Sequence, residues 1–174
     1  TWIRPVGCDM APDTIVRGES ETIQPSQLAL LAQCGVDKLP VKSLPRVGVL
    51  STGNELSISA DQCQGGKIPD ANRPLLLSQL STYGNCKPHD LGIVSDDDSI
   101  EVLSDKLKTA LWSDGIDVLI STGGISMGEK DNMERVFVEG LGGKVHFGRM
   151  NMKPGKPTTF ITIEKESNDG NGTM

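Results

Sequence analysis

The chain has 174 residues, 36% of them hydrophobic, and its 17 Lys and Arg against 23 Asp and Glu leave a net charge of −6. That length supports one full core and part of a second, while the acidic balance argues against general nucleic-acid binding, which rests on clustered Lys and Arg neutralising phosphates. No apolar run approaches a membrane span and the opening Thr1-Trp-Ile-Arg-Pro5 lacks the regions of a signal peptide, so a cytoplasmic protein is expected. The four cysteines, Cys8, Cys34, Cys63 and Cys86, are widely separated with no CxxC pair, and the two histidines are His89 and His146. Neither a zinc site nor a disulfide framework is indicated.

Residues 1–45 carry weak strand signals at Trp2 to Pro5 and Lys38 to Val41, and a short helix is expected from Pro25 to Cys34. So few apolar side chains cannot offset the ordering entropy of a separate core. Between Arg46 and Ile163 short apolar strands alternate with amphipathic helices, which predicts an α/β fold with a doubly wound, mainly parallel sheet. Val47 to Leu50 is the first strand, followed by the loop Ser51-Thr-Gly-Asn-Glu-Leu56. A helix starts near Asn72, a residue able to cap, with Pro74 in the first turn and Leu76, Leu80 and Tyr83 on one face. Cys86 to Val94 is the next strand. Asp98 is the expected N-cap of the following helix, with Glu101 three residues on and Ile100, Leu103, Leu107, Ala110 and Leu111 at helical spacing. Asp117 to Ile120 is a strand, Asp131 to about Glu139 a short helix, and Lys144 to Phe147 and Thr158 to Ile163 the last strands. The polar stretch 164–174 is expected to be a mobile tail.

In parallel sheets of this kind ligands collect outside the carboxyl ends of the strands. That rule gathers the loops Ser51 to Leu56, Ser95 to Asp98 and Thr122 to Asp131 into one candidate site. In the third loop a strand runs straight into Gly123 and Gly124, where the absence of a Cβ lets backbone N–H groups approach an anion. Acids at the rim, Asp131 among them, suit Mg²⁺ better than they suit phosphate itself. The segment Met152-Lys-Pro-Gly-Lys-Pro157 holds Lys153 and Lys156 between Pro154 and Pro157, a restricted backbone that loses little entropy when an anion is gripped. Each residue also has a purely structural reading. Asp131 with Glu134 fits a capping box; the run Asp96 to Asp98 fits a solvated loop that ends in a cap; Glu55 can brace the turn at Gly53, and Ser126 a loop backbone group.

Taken together, Ser51-Thr-Gly-Asn-Glu-Leu56, Gly65-Gly-Lys-Ile-Pro-Asp-Ala-Asn-Arg73, Leu91-Gly-Ile-Val-Ser-Asp96, Ser121 to Asp131 and Met152 to Pro157 closely resemble the molybdenum insertase family, which comprises bacterial MoeA, the plant insertase domain and the E domain of gephyrin. Trp2 to Gly7 and Gln24 to Gly35 resemble the family segment just before the α/β domain. The resemblance implies a MoeA/MogA-like molybdopterin-binding domain over 46–163, with 1–45 as a small α+β segment of an incomplete neighbouring domain. It implies insertion of molybdate into adenylylated molybdopterin with release of AMP, assisted by Mg²⁺ or a similar divalent metal. On the family motifs, Asp96 and Asp131 are expected as metal or catalytic carboxylates with Glu55 at the same rim. Gly123, Gly124 and Ser126 are expected to line the nucleotide pyrophosphate pocket, while Lys153 and Lys156, with Pro154 and Pro157, face molybdate. Further implied are domains on both sides of this stretch, a homodimer whose cleft draws on both subunits, and an adenylyltransferase domain or protein as partner. Two other readings stay open: molybdopterin adenylyltransferase, and a gephyrin-like scaffold that clusters receptor tails or meets the cytoskeleton.

Overall fold

The computed structural model describes residues 2–16, 18, 21–124 and 132–164, and the chain divides into two compact units, Thr1–Ser43 and Leu44–Met174. In the first unit the regular element is helix α1, Pro25–Gln33, opened by a proline in its first turn and by reciprocal bonds between Gln24 and Gln27. The strand signals at Trp2 to Pro5 and Lys38 to Val41 do not become strands. Trp2, Ile3 and Val41 are exposed, and among the described residues no second apolar surface fixes them in a sheet.

The second unit is built on three parallel strands in the order β4-β1-β5, with β1 at Arg46–Thr52, β4 at Lys87–Val94 and β5 at Val118–Thr122. The alternation of strand and helix predicted this parallel arrangement. β1 is central and buried from Val47 to Thr52, as a strand covered on both faces must be. Its register places Val47 beside Val118 and Ser51 beside Thr122. Against β4 the register slips: Val49 faces Asp90 but Ser51 faces Ile93, so β4 carries one extra residue. The bulge is eased by Gly92 at φ +76° and closed by its N–H, which donates to Asp90 Oδ1 at 2.8 Å.

A short parallel pair follows β1, with β2 at Leu56–Ser57 and β3 at Ile68–Pro69. Helix α2, Asn72–Tyr83, packs on β4 and β1. Asn72 is not its N-cap; Ala71 occupies that place without a side-chain bond, and the Asp70 carboxylate accepts the Arg73 N–H at 3.2 Å instead. Tyr83 is exposed rather than aligned with the half-buried Leu76 and Leu80. Helix α3, Ile100–Lys108, continues into a π-helical turn, Thr109–Ser113. Its N-cap is Ser99, whose hydroxyl accepts the Val102 N–H at 3.3 Å, and not Asp98, whose carboxylate turns back to the Ser95 N–H. Leu103, Leu107 and Ala110 are buried as their spacing predicted. The two leucines meet Leu50, Val94, Met133, Val136 and Phe137 in one core, each large side chain contributing about 1.5–3 kcal/mol by leaving water.

Helix α4, Met133–Arg135, is a single turn that runs into a second π-helical turn, Val136–Gly140. The last strands, β6 at Lys144–Phe147 and β7 at Phe160–Thr162, form an antiparallel pair of their own. No helix among the described residues is long and apolar enough to cross a membrane.

Candidate functional site

The carboxyl ends of β1, β4 and β5 carry the residues singled out in the sequence. β1 delivers Gly53, Asn54 and Glu55. Gly53 extends the sheet ladder by donating to Val94 O at 3.2 Å. The Glu55 carboxylate folds over this turn: a Cβ on Gly53 would lie 2.7 Å from Glu55 Oε2. β4 delivers Ser95 to Asp98, and Asn54 joins the two loops. Its Oδ1 accepts the Ser95 hydroxyl at 2.5 Å and the Asp96 N–H at 3.0 Å, while its Nδ2 donates to Asp97 Oδ2 at 2.8 Å. Ser95 Oγ in turn accepts the Asp97 N–H at 3.1 Å. Asp96 is thereby held by its own backbone at the end of β4, half-buried. Gly53, Asn54, Lys67, Ser95 and Asp97 line a polar cleft of about 480 Å³ between these loops.

β5 delivers the glycine turn. Gly123 and Gly124 have φ of +87° and +68°, left-handed conformations that side chains rarely adopt. They also press on β1: a Cβ on Gly123 would sit 2.7 Å from Thr52 O, and one on Gly124 would sit 2.8 Å from Thr52 Oγ1 and 2.5 Å from Met133 Cγ. Conformation and contact both demand glycine here. Ser126 and Asp131, and with Asp131 the expected capping box to Glu134, lie outside the described residues.

Gly123, Gly124 and Pro157 line one end of a larger groove of about 810 Å³ between β5 and β7. Its walls, including Leu119, Ile120, Phe160 and Ile161, are mainly apolar. Ser121 Oγ, also on this groove, is buried without a hydrogen-bond partner among the described residues. Lys153, Pro154, Lys156 and Pro157 are exposed on the segment between β6 and β7, where Lys153-Pro154 is a cis peptide bond. Glu55, Asp96 and the glycine turn thus share the sheet edge, and Pro157 shares a groove with the glycines.

Beneath this edge lies a polar cluster that sequence reasoning missed. Arg73 and Asp70 are both buried, with Arg73 Nε donating to Asp70 Oδ2 at 2.9 Å, and the same guanidinium donates to Asp90 on β4. Burial works against ionisation of Asp70, but the Arg73 N–H, the Ser51 hydroxyl and the Arg73 guanidinium together hold its carboxyl below the usual range. Burial likewise works against the charge on Arg73, and the carboxylates of Asp90 and Asp70 raise its pKa despite it. The i, i+3 spacing of Asp70 and Arg73 at a helix start was the available signal. Asn54 had a weaker one, an amide between Gly53 and Glu55 at a strand end. A divalent metal needs several oxygen ligands, and no group of three His, Cys, Asp or Glu side chains among the described residues is placed to hold one. The described residues alone do not make a metal centre.

The family model described as a probable molybdopterin binding domain matches residues 48–173. The chain belongs to this molybdopterin-binding family. It is 38% identical over 172 residues to gephyrin of Dictyostelium discoideum, a match that covers 92% of this chain and 23% of that protein. It is 35% identical over 165 residues to the molybdopterin molybdenumtransferase of Haemophilus influenzae, covering 93% and 38% respectively. Among solved structures, the molybdopterin biosynthesis MoeA protein of Pyrococcus horikosii superposes with a TM-score of 0.70 at 28% identity, covering 91% of this chain and 37% of that one. The chain therefore spans roughly a quarter to two-fifths of the length of these family relatives. The resemblance of its motifs and the match to the family agree, and the mainly parallel α/β architecture is the one the family structure has.

Proposed function

We propose that the α/β unit binds adenylylated molybdopterin at the carboxyl edge of the sheet and, as part of a molybdenum insertase, serves to load molybdate into it with release of AMP. The observation that carries this reading is the glycine turn at Gly123 and Gly124, seated on Thr52 so tightly that no side chain fits, in a chain whose relatives include proteins named molybdopterin molybdenumtransferase.

Releasing AMP breaks a phosphoanhydride bond, and negative charge gathers on phosphoryl oxygens as it does so. Donors fixed in advance stabilise that charge without reorganising during the reaction. The glycine turn leaves backbone free of Cβ atoms where a phosphate would approach. Asp96 and Glu55 stand on the neighbouring loops, where a carboxylate can accept a proton or orient water. Lys153 and Lys156 supply cationic charge suited to the molybdate dianion. The divalent cation expected from the resemblance would draw on Asp96 and Asp131 together, and when bound it would neutralise phosphate charge. A homodimer, a cytoplasmic location and an adenylyltransferase partner belong to the same reading.

Calorimetric titration of the 174-residue chain with AMP and with adenylylated molybdopterin, each with and without Mg²⁺, tests it. Saturable binding of the adenylylated pterin is expected, strengthened by Mg²⁺. A folded sample that takes up neither ligand would overturn the placement of the site on this unit.

A further inference from the structure

The loops that carry Glu55 and Asp96 leave neighbouring strands, and they are held by different means. Glu55 lies in a tight turn closed by backbone: the Leu56 N–H donates to Gly53 O at 3.2 Å, and Glu55 O accepts the Ile68 N–H at 2.7 Å. Asp96 lies in a turn closed by the Asp98 N–H, which donates to Ser95 O at 3.3 Å. Just beyond the end of β4, however, the Asp96 N–H has left the sheet ladder and donates to a side chain, Asn54 Oδ1, at 3.0 Å. The amide of Asn54 fits only one way round. Its oxygen meets two donors, that N–H and the Ser95 hydroxyl, and its nitrogen meets the Asp97 carboxylate; reversed, it would set N–H against N–H and oxygen against oxygen. Ser95 Oγ completes a ring by accepting the Asp97 N–H. Asn54 and Asp97 are exposed, so the ring adds little by burial. What it fixes is the course of the chain after β4.

We infer that Asn54 is a positioning residue that sets the pose of Asp96 against Glu55. Asn54 precedes Glu55 within one tight turn and grips Asp96 from there, so the two carboxylates are referred to a single corner rather than to two loops that move separately. Such a link matters where two groups act on one bound molecule, because displacing a reacting group by about 1 Å can cost on the order of a hundredfold in rate. Water would satisfy the Asp96 N–H equally well, but it would leave the position of the loop unset. A role for the two carboxylates in ligand binding rests on the function proposed above, whereas the clip itself does not.

The test has two arms, both on the 174-residue chain. In the first, ¹⁵N relaxation reads the Asp96 amide in the absence of ligand, where order parameters of about 0.85 mark rigid backbone and values below about 0.6 flexible backbone. Wild type should give the rigid value and Asn54→Ala the flexible one, with β1 and α3 amides unchanged; Ser95→Ala, which opens the ring from the other loop, should fall between them. A flexible Asp96 in wild type, an Asp96 as rigid in Asn54→Ala as in wild type, or a Ser95→Ala loop indistinguishable from wild type would each overturn the inference. The second arm is a double-mutant cycle on the Kd of adenylylated molybdopterin, with Asp96→Ala as the partner variant because it keeps the N–H that Asn54 holds. Asn54→Ala should weaken binding about tenfold in the wild-type background and leave Kd unchanged once residue 96 has lost its carboxylate. Equal losses in both backgrounds would overturn the positioning role, since Asn54 would then act on the ligand or the fold without Asp96. If wild type takes up no adenylylated pterin while the relaxation pattern holds, the ligand reading fails and the clip stands.

Discussion

Two ion pairs in this chain are built from the same charges at nearly the same helical spacing. Arg73 and Asp70 sit at i, i+3 with side chains only 7% and 2% exposed, while Arg135 and Glu139 sit at i, i+4 with side chains 58% and 56% exposed. The contacts are alike in length, 2.9 Å and 3.0 Å. Their surroundings are not. Water around the second pair already solvates both charges and screens their attraction. Around the first, each group has lost its water and depends on its partner, so removing one leaves the other stranded. A buried pair therefore fixes geometry more than it adds stability, and here that geometry ties the start of α2 to β4 through Asp90.

The hardest blow to this contrast is Arg73→Met, which fills similar volume but abandons Asp70. A loss of about 3–5 kcal/mol is expected from urea unfolding; a loss no larger than that of a surface substitution would erase the difference between the two pairs. Acid supplies a second, milder break. The folded pKa of Asp70 lies below its unfolded value, so its contribution is complete above the ordinary carboxylate range near pH 4 and is lost as pH falls through the folded value. Asp70→Asn should flatten that part of the acid limb of stability against pH, and an acid limb identical to wild type would show that Asp70 gains nothing from its partners. Between the extremes stands Asn54, exposed but with several bonds across two loops. Asn54→Ala should cost about 1 kcal/mol and raise amide exchange at Asp96, with the core amides as controls. The smallest effect is expected from Arg135→Gln, no measurable change in melting temperature; a clear drop would show that exposure does not separate the two pairs.

The same distinction explains what could be seen in the sequence. Strand β1 and the inward face of α3 were legible because burial there follows a local period, and Leu50, Leu103 and Leu107 occupy the places their spacing assigns. The glycine turn was legible because only a backbone requirement puts two glycines at the end of a strand. The cap of α3 was misplaced by one residue, since in Asp98-Ser99 both residues are good caps and local chemistry does not choose between them. Tyr83 was assigned to an apolar face, but α2 fixes itself at its start through Arg73 and leaves its last turn in water. The clip at Asn54 and the contact between the Ser51 and Thr122 hydroxyls depend on partners about 40 to 70 positions apart in the chain, and no window of sequence joins them. Loop carboxylates such as Glu55 and Asp96 could be placed at the edge, whereas what holds them there could not.

The bulge in β4 measures out chain. Between the rungs that join β1 to β4, one strand advances by two residues and the other by three. Deleting Gly92 would restore equal steps and leave Ser51 paired with Ile93 and Thr52 with Val94, so the residues beyond the bulge would keep their faces. The surplus residue is thus taken up as a local bend and added twist in β4, and the two loops, some forty positions apart in the chain, still end level, with Asn54 at 2.5 Å from Ser95.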